Sequence, residues 1–192
     1  SIMKDVKCTI FGDNAVGKTS MINVFINGSF SEDYIPNIEG IYNKKLMVNE
    51  TIINLDIIDT SRCDCFLHIL EKYHLIADVF MLCFSIDMQE SLENITKYWF
   101  PLIKSHCPEA PFILVGMKID KKNENTTVKL IEESKIEEIK QKIKPLAYIE
   151  CSSKINYNII NAFEILITEF IHSSTKTKKK FTEKEQNRCL LV

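Results

Sequence analysis

The sequence predicts an α/β fold with three layers, a six-stranded and mostly parallel sheet covered by helices on both faces. Short apolar runs alternate with segments whose apolar residues recur every three or four positions, a rhythm typical of strands connected by helices. A glycine-containing stretch, Gly12–Ser20, lies between the first apolar run and the first helical segment. Loops of that composition follow the carboxyl ends of parallel strands.

The elements follow in order along the chain. Apolar runs predict strands over Lys7–Phe11, Ile41–Val48, Ile52–Ile58, Val79–Ser85, Phe112–Gly116 and Ala147–Cys151. Helical spacing predicts helices over Lys18–Ile26, Glu90–Ser105, Glu132–Lys144 and Asn158–His172. Asn49 and Glu50 separate two strands by only two residues, which predicts a hairpin, and proline and glycine indicate a loop over Phe30–Ile41.

Length and charge indicate one domain with a tail. The chain has 192 residues and a net charge of -2. This length is sufficient for one buried core, and the chain lacks the overall positive charge that favours binding to nucleic acid. We therefore predict a domain over residues 1–172 and a flexible basic tail over 173–192, where six Lys or Arg face two Glu after Ser173. The seven cysteines form no CxxC pair, which favours a reducing compartment.

The stretch after the first strand fits a phosphate-binding loop. Gly12 and Gly17 permit backbone dihedrals that turn successive N–H groups toward phosphate oxygens at a helix N-terminus. Lys18 supplies a positive charge for the outer phosphates, and Thr19 supplies an oxygen for Mg²⁺. The sequence thus predicts that a nucleoside triphosphate binds to Gly12, Asp13, Asn14, Ala15, Val16, Gly17, Lys18, Thr19 and Ser20.

Two later motifs predict that the base is guanine. Lys118 and Asp120 follow a strand, and a carboxylate there accepts two parallel hydrogen bonds from guanine, which adenine does not offer. The Lys118 stem would cover the base. Ser152, Ser153 and Lys154 follow the last strand, where small residues let a backbone N–H reach the guanine carbonyl. An ATP-dependent phosphotransferase is disfavoured on the same ground.

In this order, with Asp59 at the end of an intervening strand, the motifs resemble the Ras superfamily of small GTP-binding proteins. Longer strings resemble its Rho family, and the likeness runs from about Lys7 to His172. The strings are Met81–Asp87, Ser91–Ile95, Trp99–Pro101 and Cys107-Pro108. The family has an extra helical insert after the Lys-x-Asp motif, and this insert is shortened or lost here between Asp120 and Cys151. Family partners that bind through the insert are therefore not expected to bind this chain.

The resemblance implies a P-loop small-GTPase fold and a GTP/GDP switch in membrane-associated signalling, in cytoskeletal or trafficking processes. It implies that Phe30 packs against the base and that Tyr34 belongs to the first switch loop. It also implies Mg²⁺ held by Thr19, indirectly by Asp59, and by Asn37 in place of the family's threonine. Effectors and exchange factors are implied as partners, although the sequence identifies none of them.

The residues at the family's hydrolytic positions are unusual. Asn14 replaces a glycine, and its side chain would obstruct the attacking water and any inserted arginine finger. Cys63 replaces the glutamine that orients this water, and a thiol cannot both donate and accept as an amide does. Arg62 replaces a glycine that meets the terminal phosphate. The sequence therefore predicts no intact catalytic set and weak or absent hydrolysis, as in atypical Rho proteins of the Rnd type.

Two alternative functions remain open. The chain is a slow but genuine regulated GTPase if another group, such as Arg62, supplies the missing stabilisation. It is a nucleotide-degenerate interaction module if it no longer needs the nucleotide. A metal site at Cys63, Cys65 and His68 is disfavoured because a zinc site normally needs further ligands at defined spacing.

The last four residues, Cys189-Leu190-Leu191-Val192, fit a prenylation box. Lys176, Lys178, Lys179 and Lys180 lie upstream and would supply the second signal that a single lipid needs. No secretory signal and no bilayer-length apolar run is evident, so we expect peripheral attachment through Cys189. We expect a monomer at the cytoplasmic face of membranes, with the plasma membrane favoured and a cytosolic pool. The type of prenyl group is left undecided.

Overall fold

A computed structural model describes residues 3–30, 40–60, 77–123 and 128–172. Its strands are β1 (Met3–Phe11), β2 (Ile41–Val48), β3 (Thr51–Asp59), β4 (Val79–Ser85), β5 (Phe112–Met117) and β6 (Tyr148–Cys151). They form one sheet in the order β2-β3-β1-β4-β5-β6. Only the β2–β3 pair is antiparallel, which confirms the predicted six-stranded, mostly parallel sheet.

The helices connect these strands. They are α1 (Lys18–Asn27), α2 (Gln89–Asn94), α3 (Phe100–His106), α4 (Glu133–Ile143) and α5 (159–172), with a π-helical turn (Ile95–Trp99) between α2 and α3 and a 3₁₀ turn (Ile119–Lys122) after β5. Within the described ranges, no helix is both long and apolar enough to cross a membrane.

Two apolar clusters, one on each face of the sheet, hold the three layers together. In β4, Met81 and Cys83 join one cluster while Phe80 and Leu82 join the other, because successive strand residues point to opposite faces. The first cluster is covered by α1 and α5, whose Phe25 and Phe163 rings stack with centroids 3.8 Å apart. The second is covered by α2, α3 and α4. Covering both faces explains why all seven β4 residues are buried.

The helix predicted over Glu90–Ser105 differs from the prediction in its middle. The backbone N–H of Phe100 donates to the carbonyl of Ile95, a bond between residues five apart that defines a π-helical turn. Pro101 lies at the start of α3 and has no N–H to continue the usual hydrogen-bond ladder. The wider turn accommodates this loss, and a periodicity argument based on regular helices could not locate it.

The predicted ends of four strands also shift. β3 extends one residue further at each end than predicted, and β5 ends at Met117 rather than Gly116. β1 begins at Met3 rather than Lys7, because its polar first half pairs in register with β3 from Met3 opposite Ile52 onward. β6 begins at Tyr148 rather than Ala147. The predicted hairpin between β2 and β3 is confirmed, and Asn49 and Glu50 both have positive φ angles, 48° and 63°, as a tight two-residue hairpin turn requires.

Strand order determines where ligand loops gather. β1 lies in the middle of the sheet, with β3 on one side and β4 on the other. The strand order therefore reverses at β1, and a crevice forms beyond the carboxyl ends of the strands where the order reverses. Apart from Phe30, which follows α1, the described residues predicted to contact nucleotide come after the carboxyl ends of β1, β5 and β6, and the predicted Mg²⁺ residue Asp59 ends β3. They therefore lie along one edge of the sheet.

Candidate nucleotide-binding site

The loop between β1 and α1 is shaped by its two glycines. Gly12 has φ +149°, and a β carbon there would lie 2.1 Å from the Cys83 carbonyl oxygen of β4. Only glycine permits this close approach of two backbones. Gly17 (φ 110°) is the N-cap residue just before α1 and offers no side chain to cap the helix, which leaves the N–H groups of the first turn to other acceptors, as a phosphate site needs.

Lys18 is folded back over this loop. Its Nζ donates to the carbonyl oxygens of Gly12 at 2.6 Å and Asp13 at 2.7 Å, and the residue is only 2 % exposed. Burial lowers the pKa of the Lys18 ammonium, while neighbouring groups, including the Asp59 and Asp13 carboxylates, oppose that effect. The Lys18 side chain is thus held against the backbone of the loop.

The other loop residues divide into buried and exposed ones. Val16 is fully buried in the cluster beneath α1, and Ser20 is half-buried on the helix. Asn14 and Ala15 are exposed at the outer rim, where Ala15 has a φ of 63°, a left-handed conformation that costs a non-glycine residue energy. The Asn14 side chain therefore lies on the solvent side of the loop.

Met117 supports the loop from the end of β5. Its Cε would lie 3.4 Å from a β carbon built on Gly17, and the residue is 1 % exposed. A methionine cannot brace the loop through hydrogen bonds, so its contribution here is van der Waals packing. This contact joins the phosphate side of the site to the base side.

A hydrogen-bonded hydroxyl and carboxylate lie beside the loop. The Thr19 hydroxyl donates to Oδ2 of Asp59, the last residue of β3, which is 6 % exposed. Next to it, Thr60 Oγ1 donates to the Ile10 carbonyl at 2.8 Å and so joins β3 to β1. A hydroxyl and a carboxylate held together are the hard oxygen donors that Mg²⁺ prefers, so these residues fit the ion that the sequence predicts.

Across the sheet edge, the base motif is preorganised. Lys118 adopts the left-handed conformation with φ 63°, and Asp120 follows in the 3₁₀ turn. The hydroxyl of Ser152, which is fully buried after β6, donates to Asp120 Oδ1. Backbone bonds between Ser152 and Tyr157 close the loop that carries this serine. One carboxylate oxygen is thus fixed by the protein, which orients the group that would meet guanine.

The rest of the predicted base site surrounds this pair. Ser153 is buried, and its Oγ has no hydrogen-bond partner among the described residues. Lys154 is exposed. Asn156 Nδ2 lies 3.4 Å from the Gly28 carbonyl, which brings this loop to the end of α1, just before Phe30. Phe30 is 39 % exposed and is therefore available to cover a base at this edge.

Sequence reasoning missed an ionic cluster around Asp87. This carboxylate accepts hydrogen bonds from Ser85 and Lys121, and Lys118 Nζ lies 4.0 Å away. Partial burial alone would raise the pKa of Asp87, but the hydrogen bonds from Lys121 and Ser85 and the charge of Lys118 leave it below its ordinary value. Asp87 therefore helps to hold Lys118, the lysine of the base motif. The sequence analysis used Asp87 only as part of the Met81–Asp87 string and did not predict this role.

Sequence reasoning also missed the partners of the Asp13 carboxylate, which are Asn94 and Trp99. Both belong to strings that only carried the family resemblance. Several predicted positions lie outside the described residues, and their placement stays a prediction: Tyr34, Asn37, Arg62, Cys63, Cys65, His68, Lys176, Lys178, Lys179, Lys180 and Cys189, with the tail 173–192.

Comparison with protein-family models matches residues 7–172 to the Ras family. The match begins inside β1 and ends with α5, so it includes the phosphate loop, Asp59, the base motif and Ser152. Proteins of this family bind GTP and GDP and act as switches through regulators and effectors. With most of its length matched and the site residues along one sheet edge, this chain belongs to the Ras family of small GTPases.

Proposed function

We propose that this GTP-binding protein is a Rho-type switch that retains nucleotide but hydrolyses GTP slowly or not at all. The observation that carries the proposal is the phosphate loop itself. Its binding elements, Gly12, Gly17 and Lys18, have the required geometry, while Asn14 adds a side chain on the exposed rim. The loop thus keeps the groups for binding and gains an obstacle to hydrolysis.

The hydrolytic step is sensitive to such an obstacle. Water positioning and an arginine finger stabilise the transition state at the terminal phosphate, and finger insertion alone contributes about 10³- to 10⁵-fold in rate. A side chain at position 14 would occupy the approach of both groups. Cys63 in place of a glutamine and Arg62 in place of a glycine support the same conclusion from the sequence.

The proposal includes Mg²⁺ as the companion of the nucleotide. Thr19 would hold the ion directly and Asp59 would act indirectly, as their paired oxygens suit it, and Asn37 is the proposed further ligand. The ion would neutralise phosphate charge. The chain's own contribution is to keep these oxygens next to the Lys18 ammonium.

The proposal also places the protein at a membrane. A domain over residues 1–172 would be tethered by a prenyl group on Cys189 and by the Lys-rich stretch, at the cytoplasmic face of the plasma membrane and with a cytosolic pool. Each Lys near an anionic leaflet adds about 1 kcal/mol. We propose a monomer with exchange factors and effectors as partners, in cytoskeletal or trafficking signalling.

The decisive experiment is single-turnover hydrolysis of GTP by the wild type, Asn14→Gly, Cys63→Gln and the double variant. Nucleotide is first extracted from the purified protein and identified by chromatography. We expect bound GTP in the wild type and at least tenfold faster hydrolysis in the double variant. Lys18→Ala, which removes the buried cation, serves as the control for nucleotide binding.

Each alternative gives a different result. Rapid hydrolysis by the wild type, or strong stimulation by an activating protein, would establish a genuine regulated GTPase and overturn the proposal. A protein that purifies without nucleotide and binds its partners equally with and without GTP would instead be a nucleotide-degenerate interaction module. Retained GTP with equal rates in all variants would assign the slow step to other residues and would also contradict the role of Asn14.

A further inference from the structure

The carboxylate of Asp13, inside the phosphate loop, is held by residues far along the chain. Asn94 Nδ2 donates to its Oδ2 at 2.6 Å, and Trp99 Nε1 donates to its Oδ1 at 2.7 Å. These donors lie 81 and 86 residues later in the sequence. Each oxygen of the carboxylate thus has its own N–H donor, and such charge-assisted bonds are about twice as strong as neutral ones.

The π-helical turn brings the two donors together. Asn94 and Trp99 are five residues apart, which in a regular α-helix places their side chains about 140° apart around the axis. The turn over Ile95–Trp99 is π-helical, with hydrogen bonding between residues five apart, so it is wider and residues at this spacing lie closer together around the axis than in an α-helix. The irregular turn therefore lets one helix face offer both N–H groups to Asp13.

The ring of Trp99 is fixed independently. It stacks on Phe11, the last residue of β1, with centroids 5.7 Å apart and planes inclined by 22°. Phe11 is fully buried and stacks in turn on Phe80 of β4. Because the ring stacks on a buried residue of the sheet, its Nε1 is held in place, and the loop is tied to the sheet by a path separate from its own backbone.

Asp13 also contacts the nucleotide-binding groups. Its backbone carbonyl accepts a hydrogen bond from Lys18 Nζ at 2.7 Å, and Asn14 is the next residue. A displacement of Asp13 would thus move a contact of Lys18 as well as the loop. A carboxylate released from its two donors would be free to turn toward the bound phosphates, where like charges repel.

We propose that the hydrogen bonds from Asn94 and Trp99 to Asp13, here named the Asp13 clamp, position the phosphate loop and slow nucleotide release. Asn94 and Trp99 are positioning residues, since they act through Asp13. The inference rests on nucleotide binding, the part of the proposed function that the family supplies, and is independent of the hydrolysis rate. It assigns a function to the irregular helix between β4 and β5.

The test is the release rate of fluorescently labelled GDP, chased with excess unlabelled GDP. Trp99→Phe keeps an aromatic ring for Phe11 and removes the N–H together with part of the fused indole ring, so we expect release about tenfold faster, with a smaller increase for Asn94→Ala. Tyr98→Phe is the matched control, because it removes a hydroxyl from the same turn on a residue that is 52 % exposed. Its release rate should equal that of the wild type.

A double-mutant comparison separates positioning from general loosening of the fold. If Trp99 acts through Asp13, Trp99→Phe should add nothing to the release rate in an Asp13→Ala background. Full additivity of the two effects would overturn the clamp. So would equal release rates for the wild type and Trp99→Phe, whatever their unfolding midpoints.

Fluorescence supplies a readout that does not depend on release. Trp99 is the chain's one tryptophan, so its emission reports directly on the clamp. We expect the emission spectrum to shift in Asp13→Ala relative to the wild type, both loaded with GDP, and identical spectra would count against the hydrogen bond. If the chain did not bind nucleotide at all, the wild type itself would not bind GDP, and this result is distinct from a failure of the Asp13 clamp.

Discussion

The Ser152 hydroxyl donates a hydrogen bond to Oδ1 of Asp120, while the adjacent hydroxyl, that of Ser153, is buried without a partner among the described residues. The Ser152 hydroxyl therefore stabilises the fold, whereas the buried Ser153 hydroxyl destabilises it. A hydrogen bond to a charged group stabilises by about 1.5 to 3 kcal/mol, whereas an unsatisfied buried hydroxyl costs about 1 to 3 kcal/mol. The sequence Ser152-Ser153 gives no indication of this difference.

We predict opposite results for alanine at these two positions. Ser152→Ala should lower the free energy of unfolding by about 1 to 3 kcal/mol, because Asp120 loses its donor. It should also speed GDP release, since the carboxylate is less well oriented. Ser153→Ala should leave the free energy of unfolding unchanged or raise it. Chemical unfolding at saturating GDP measures the free energy of unfolding of both variants. A larger loss of this free energy for Ser153→Ala than for Ser152→Ala would refute the assignment.

A second prediction concerns Gly12, whose backbone has φ +149° and almost touches β4. Alanine there would place Cβ 2.1 Å from the Cys83 carbonyl oxygen, which is backbone and cannot move aside. We expect Gly12→Ala to lower the free energy of unfolding by more than about 2 kcal/mol and to abolish GDP binding.

Gly28 provides the matched control for this substitution. It also has a positive φ, +78°, but no atom lies within 4 Å of a β carbon built there. Gly28→Ala should cost only the left-handed conformation, about 1 kcal/mol. Urea unfolding compares the two variants, and equal costs would show that the contact with Cys83 does not matter.

Much of the fold follows from local patterns in the chain. β2 and β4 have their predicted bounds because apolar residues fill or alternate along them, and the hairpin at Asn49 and Glu50 follows from a turn of two residues. The phosphate loop is recognisable because glycine, lysine and hydroxyl residues must occur at fixed spacing to meet a phosphate. These features depend on residues close together in sequence.

The features that sequence reasoning missed depend on tertiary proximity. Asp13 and Trp99 are 86 residues apart, and only strand order and the π-helical turn bring them into contact. Asp87 and Lys121 beside the base motif meet because β4 and β5, which precede them, are neighbours in the sheet. A charged residue in a loop has many available partners in a chain, and the sequence alone does not select among them.

A third prediction concerns thiol reactivity. Burial raises the pKa of Cys8, Cys83 and Cys151, that of Cys151 to about 12, and all three residues are at most 1 % exposed. The thiolate is the reactive species, so these groups should resist iodoacetamide at pH 8 in the folded protein. Cys107 also has a raised pKa but is half-buried and reaches solvent.

We therefore expect Cys107 to be alkylated at least tenfold faster than the three buried thiols. Mass spectrometry of peptides after timed alkylation resolves each cysteine, and the same reaction in urea should make all of them reactive. Fast modification of Cys83 in the folded protein would be especially informative, because it would mean that β4 opens beneath the phosphate loop.

The last prediction concerns pH and the cluster around Asp87. Burial opposes ionisation, but the Lys121 and Ser85 hydrogen bonds and the Lys118 charge outweigh it, so the pKa lies below the ordinary value of 3.8. A carboxyl whose pKa is lower in the folded state stabilises the fold at pH values above its unfolded pKa. That stabilisation is lost as the pH falls through the folded value.

Asp87→Asn should thus lower the free energy of unfolding by about 1 to 3 kcal/mol at pH 7. The difference from the wild type should stay constant down to about pH 5 and shrink below the ordinary carboxyl pKa, as the wild-type group takes up its proton. Lys121→Met, which removes the partner from the other side, should show the same pH dependence. Urea unfolding from pH 7 to pH 3 measures both variants. A difference that persists undiminished at pH 3 would mean that Asp87 stabilises the fold through packing or neutral hydrogen bonds rather than through its charge.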